Sequence, residues 1–180
     1  AVLYRSNAQS RALEEALLRV SIPYRIYGGL RFYERLEIKN AIAYLKIIFN
    51  NKDNPSFERS ISNPTRGVGE KTLGKIRQAA KKFNISYIKA SAKLIDEGSI
   101  GGRGGAGLKD YLEFIIGCKQ FIEENTLSEL MELIIKESGL YAYHAKEAGE
   151  KGKTRTENLE ELITATKNFE QSIKDEKTNV

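Results

Sequence analysis

From Glu37 to Ser172 the apolar residues recur at three- and four-residue intervals, a period that restricts most of the chain to amphipathic helices. Ile38, Ala41, Ile42, Leu45 and Ile48 form the first such stripe, and the polar run NNKDNP closes it. Further helices are predicted around Phe57–Ile61 and over 71–83, 86–94, 108–124, 127–138 and 156–172. Thr126 with Glu129, and Thr154 with Glu157, have the capping-box spacing that marks helix starts. The fold class expected is therefore mainly α.

The first thirty residues follow a different pattern. AVLY is a short strand-like run, NAQSRALEEALLRV carries Ala12, Leu13, Ala16, Leu17 and Val20 at helical spacing, and YRIYGG reads as a second strand ending at Gly28–Gly29. Strand–helix–strand is the unit of a parallel α/β sheet, and two strands do not make a stable sheet alone. This opening is thus expected to be an excerpt of a larger α/β domain. Between the helical groups, GSIGGRGGAG (98–107) has no apolar period and reads as a flexible connection; a phosphate cradle around Arg103 is the alternative. The final DEKTNV lacks apolar anchors, so residues 173–180 are expected to fray.

Charge narrows the partners. Residues 1–82 hold sixteen Lys and Arg against seven Asp and Glu, a net +9, whereas residues 83–180 hold thirteen against seventeen, a net −4. A basic half opposed to an acidic one suits a directed contact with a polyanion, nucleic acid first. With 41% apolar and 29% charged residues and no apolar run near the ~20 residues of a membrane span, a soluble globular class with no membrane partner is expected. The opening AVLYRSNAQS lacks a secretory leader, making a cytoplasmic setting the expectation. Cys118, the single cysteine, sits in an apolar helical context and is read as an inert core thiol.

No catalytic constellation emerges. GEKGKT (149–154) ends like a phosphate-binding loop, but Glu147 stands where that motif needs its first glycine, and no strand precedes it; Lys151 and Lys153 are read as a basic turn capping the next helix. His144 is the only histidine and is read as an incidental surface residue. Glu14–Glu15, Glu123–Glu124 and Glu160–Glu161 are adjacent pairs that diverge on a helix. The informative segment is NPTRGVGEKTLGKI (63–76). Pro64 stops a helix, Gly67-Val68-Gly69 forms a tight turn with Val68 pinned inward, and a new helix begins at Lys71 with Leu73 and Ile76 on its inner face. This is a helix-hairpin-helix pattern. Its glycines let backbone N–H groups approach a phosphate, and Thr65, Arg66, Lys71, Thr72 and Lys75 add donors that hold a nucleic-acid backbone without reading bases. The plainer alternative is an ordinary helical turn with a C-terminal glycine cap.

LYRSNAQSRALEEAL (3–17), PYRIYGGLRFYERLEIKNAIAYL (23–45), NPTRGVGEKTL (63–73) and GKTRTENLEEL (152–162) closely resemble, in the same order, segments of superfamily 1 DNA helicases of the UvrD/PcrA/Rep type. The resemblance implies an ATP-driven translocase moving 3′ to 5′ on single-stranded DNA, its two RecA-like motor domains closing around ATP and Mg2+. It assigns residues 1–34 to an excerpt of the second motor domain and residues 35–172 to that domain's helical, duplex-gripping insertion. No cofactor is expected in this chain, since the family's Walker loop, metal site and arginine finger lie elsewhere in the parent; the remaining motor domains are then partners. Arg5, Asn7 and Arg31 resemble single-strand contacts, and the Gly67–Gly69 turn with Thr72 resembles the duplex-holding loop, with valine at 68 where isoleucine is usual. Lys39 and Lys46, two turns apart on one helix, are further duplex-facing candidates. The resemblance also suggests DNA repair or replication restart. Two other readings compete: a stand-alone helix-hairpin-helix DNA-binding module, and a helical protein-interaction domain docking through the acidic half.

Overall fold

A computed structural model describes residues 2–5, 9–26 and 29–178. Its helices are α1 (Ser10–Arg19), α2 (Leu36–Phe49), α3 (Asn54–Ser62), α4 (Glu70–Phe83), α5 (Tyr87–Asp96), α6 (Gly102–Glu124), α7 (Leu127–Glu137), α8 (Leu140–Ala145) and α9 (Glu150–Thr178), with a 3-10 turn at Phe32–Glu34. The mainly helical class holds. Among the described residues no strand forms: residues 2–5 and 22–26 run without a ladder. A strand exists only by hydrogen bonding to another, and these segments find no partner here.

The most apolar helix, α2, lies at the centre, packed by α3, α6, α7 and α9. Its Ile38, Ala41, Tyr44, Ile47 and Ile48 are buried. Tyr44, Phe57 of α3 and Tyr111 of α6 form the aromatic heart; Phe57 meets Tyr111 edge-on at 5.5 Å, and the Ser60 and Tyr111 hydroxyls lie 2.6 Å apart. Burial pushes the Tyr44 and Tyr111 phenols far above their usual range, so both stay neutral. Cys118 is buried and its thiol is pushed up to about 12 by desolvation, as an inert core thiol should be.

Four local expectations are corrected. The glycine-rich run is not a flexible connection: Gly102–Gly107 form the first turns of α6. Thr154 and Glu157 lie inside α9, which starts a turn earlier at Glu150, after Gly149 at φ +74°, so Lys151 and Lys153 are helical residues and not a capping turn. α9 also continues past Ser172 to Thr178, because SIKDEKT contains no helix breaker. His144 is buried, not on the surface; its Nδ1 lies 2.7 Å from Glu147 Oε1. By contrast, Thr126 caps α7 through the expected reciprocal box with Glu129.

A polar network that sequence reading missed fastens residues 10–37 to α9. Arg11 pairs with Glu15 (2.5 Å) and with Glu161 (2.6 Å). Arg35 donates to Asn158 Oδ1 and Ser10 Oγ, and Asn158 in turn donates to Glu37. The buried Glu14 carboxylate accepts from the Ser10 hydroxyl and from the Phe32 backbone N–H.

Candidate nucleic-acid interface

The turn joining α3 to α4 is built from its inner anchors outward. α3 ends at Ser62; the carbonyl of the next residue, Asn63, accepts from the Tyr44 hydroxyl at 2.8 Å, and the Asn63–Pro64 bond is cis. Arg66 then folds inward. Its guanidinium donates to the carbonyls of Ser60 (3.3 Å), Pro64 (3.0 Å) and Ser138 (2.7 Å), and it lies 5.5 and 5.6 Å from the Tyr44 and Tyr111 ring centroids. The planar fork reaches three carbonyls at once in a pre-organised geometry. Arg66, expected as a surface donor, is half-buried and turned toward these carbonyls.

Gly67 follows at φ +74°, a conformation that side chains with a Cβ rarely adopt, and Val68 is buried in the core as expected. Gly69 is different: it caps α4 at φ −92°, ψ 178°, with open space where a Cβ would stand. Its freedom of approach, not backbone strain, is what a side chain would remove. α4 then begins at Glu70, one residue before the predicted start, and its N-terminus has no side-chain cap among the described residues. Thr65, Gly67, Gly69 and Lys71 are exposed and Thr72 is half-buried. The structure thus brings Thr65, Gly67, Gly69, Lys71 and Thr72 together at one rim.

Two neighbours adjust that rim's charge. Lys75 donates to the Ser99 carbonyl at 2.8 Å, which ties α4 to the connection between α5 and α6. Glu70, in the first turn of α4, pairs with Arg77, which also holds Glu58 of α3 at 2.7 Å. That hydrogen bond keeps the Glu58 carboxyl below its ordinary value. An acid near the helix N-terminus is thereby matched by a guanidinium.

Lys39 and Lys46 are exposed on α2. Lys46 shares an open polar groove with Asp53, Ser56, Glu58, Arg59 and Asn63, so it borders the same turn from the α3 side, while Lys39 does not line that groove. Arg5 and Arg31 are exposed; the Arg31 guanidinium stands 5.5 Å from the Tyr24 ring. Asn7 and Gly28 lie outside the described residues.

The Walker-like run at Gly149–Thr154 offers nothing to a nucleotide. It opens α9 after helix α8, and a Cβ on Gly152 would meet the carbonyl oxygens of Glu147 at 2.3 Å and His144 at 2.8 Å. Acceptors line the position where a phosphate nest needs N–H donors. ATP therefore does not fit this segment. Nor do the described residues contain a group of three His, Cys, Asp or Glu side chains able to hold a metal ion, or a helix long and apolar enough to cross a membrane.

Residues 1–100 match the family of UvrD-like helicase C-terminal domains. The chain is 47% identical over 176 residues to DNA helicase II of Escherichia coli (strain K12), covering 98% of this chain and 24% of that protein. It is 38% identical to the ATP-dependent DNA helicase PcrA of Leuconostoc citreum, again over 98% of the chain and 24% of the relative, and 35% identical to that of Bacillus subtilis (strain 168), over 97% and 24%. The chain thus spans about a quarter of the length of these curated relatives.

Proposed function

The chain belongs to the UvrD-like helicase C-terminal domain family, and from that premise we propose that it is the DNA-holding part of an ATP-dependent helicase that translocates 3′ to 5′. In this reading a helix-hairpin-helix element made of α3, the Gly67–Gly69 turn and α4 grips the duplex backbone at a junction with single-stranded DNA. The observation that carries it is the exposed turn itself: a positive-φ glycine, an uncapped helix N-terminus at Gly69, and Lys71 and Thr72 beside them. Backbone N–H groups with adjacent cations hold phosphate irrespective of base sequence. Arg66 contributes by fixing the turn from inside.

Arg5 and Arg31, both exposed, are assigned to the single strand. Asn7 joins them on the resemblance alone. Leu3, Leu18, Val20, Ile22 and Leu30 are each more than half exposed, an apolar surface for the remaining motor domain of the parent to cover. ATP and Mg2+ are bound by those other parts, and the setting is cytoplasmic DNA repair or replication restart.

The test is DNA binding by the full-length protein, read by fluorescence anisotropy on duplex, junction and single-stranded oligonucleotides. Gly67→Val is expected to weaken duplex and junction binding with single-strand binding retained. Arg5→Ala and Arg31→Ala should each lower the single-strand salt dependence by about 0.7 in log–log slope. Duplex binding unchanged by a folded Gly67→Val protein would reassign the grip to another surface, the Lys46 groove first.

A further inference from the structure

The first turns of α6 contain Gly102, Gly104, Gly105 and Gly107, a composition that disfavours helix at every one of those positions. Contact explains it. A Cβ on Gly104 would stand 3.0 Å from the Gly67 carbonyl oxygen, and one on Gly107 would stand 2.0 Å from the Arg66 carbonyl oxygen. The opening of α6 therefore rests directly on the backbone of the α3–α4 turn, at a distance that only glycines permit. Arg103 stands among these glycines. Its Cγ and Cδ lie 3.1 and 3.5 Å from where a Cβ on Gly67 would be, so the aliphatic stem is laid against the turn. Arg103 is exposed, and among the described residues no hydrogen bond or ion pair engages its guanidinium.

Each other basic side chain at this turn has a different status. Arg66 is turned inward, Lys75 is bound to the Ser99 carbonyl, and Arg77 is occupied by Glu58 and Glu70. Lys71 and Arg103 remain as cations on the two helices that meet at Gly67. An arginine stem held in place has already lost part of its rotamer freedom, so less entropy is lost when its head binds an anion.

We propose that Arg103 is a second phosphate contact for duplex DNA, delivered by α6 across the turn from Lys71, so that the backbone is held from two helices and not from one. The proposal rests on the hairpin reading above. It extends the interface to a segment that sequence pattern assigns to a linker.

The experiment measures binding of the full-length protein to a fluorescein-labelled blunt duplex and to a single strand over a range of salt, for wild type, Arg103→Gln, Arg103→Lys and Gly67→Val, with thermal melting to confirm folding. Arg103→Gln is expected to lower the duplex log–log salt slope by about 0.9 and the affinity by roughly fourfold at ~0.2 M salt, the effect of one released counterion. Single-strand binding should not change, and Arg103→Lys should restore the slope. If Gly67→Val loses duplex binding while Arg103→Gln keeps the wild-type slope, the turn holds DNA without Arg103 and the proposal is overturned with the hairpin reading intact. If neither variant alters duplex binding, both are overturned.

Discussion

Gly107 of α6 lies so close to Arg66 that a methyl group on its α-carbon would stand 2.0 Å from the Arg66 carbonyl oxygen. Both partners are backbone, so no side chain can swing aside to relieve the clash. Gly107→Ala should therefore destabilise the 180-residue chain by about 2 kcal/mol, overpacking outweighing the ~1 kcal/mol that alanine gains in a helix. Gly117, on the same helix with open space around it, is the control. Gly117→Ala should stabilise by about 0.5–1 kcal/mol. Urea denaturation of the two variants reads the difference in sign.

The two glycines of the turn separate stability from binding. Gly67→Ala forces a Cβ into φ +74° and against Arg103 Cγ, at a cost of about 1–3 kcal/mol. Gly69 is unstrained and caps a helix, so Gly69→Asp should leave stability equal or raise it by a few tenths of a kcal/mol while placing a carboxylate where the phosphate is proposed to sit. Duplex affinity should then fall at undiminished melting temperature. A variant that is stable and still binds duplex as wild type does would disprove phosphate binding at that helix start.

Arg66 yields the opposite signature. Arg66→Gln removes the guanidinium from three carbonyls, of which, among the described residues, Ser60 alone keeps a backbone donor in Asn63 N–H, and should lower stability by about 1–3 kcal/mol. The duplex salt slope of the full-length protein should remain that of wild type at a temperature where the variant is folded. A slope lower by about 0.9 would instead make Arg66 a direct phosphate contact.

Much of this architecture is legible in residue order. Apolar periodicity locates the helices from α2 onward except the short α8, Thr126 and Glu129 announce the start of α7, and the spacing around Val68 implies an inward pin between two glycines. What pattern misses depends on partners distant in sequence. Arg66 looks like a surface cation until Ser138, 72 residues away, accepts from it. The run from Gly102 to Gly107 looks like a linker until the Arg66 and Gly67 carbonyls are found beneath it. A helical three-residue interval between Gly104 and Gly107 was the available signal, and the overall glycine content masked it. The strands expected at either side of α1 fail for a related reason: their pairing partners are not among the described residues.

Acid should loosen the packing of α8 on α9. Glu147 Oε1 lies 2.7 Å from His144 Nδ1 and accepts from Arg155 Nη1 at 2.5 Å, and the hydrogen bond with His144, followed by that with Arg155, holds its carboxyl below the ordinary 4.5. The unfolded chain then binds the proton at higher pH than the folded one. The stabilisation from Glu147 is thus fully present above 4.5 and lost as pH falls through the depressed folded value. Glu147→Gln should be less stable than wild type near neutrality, with the gap closing between about pH 5 and 3. Denaturation midpoints of both proteins across that range check it; a constant gap would remove Glu147 from the acid response.

The pairing of Arg11 with Glu161 and of Arg35 with Asn158 spans 150 and 123 residues of chain. A ten-residue helix such as α1 is marginal by itself in water, so the hold that α1 takes from α9 comes only when α9 has been made. At typical elongation rates of about 5–20 residues per second the longer interval is roughly 8–30 s. During synthesis the pairs α2–α3 and α4–α5, adjacent in sequence, can assemble while residues 10–37 still lack their α9 partners Glu161 and Asn158. Within this chain, the stretch translated first is consequently among the last to be locked, and the α3–α4 turn can form before residues 10–37 are fastened to α9.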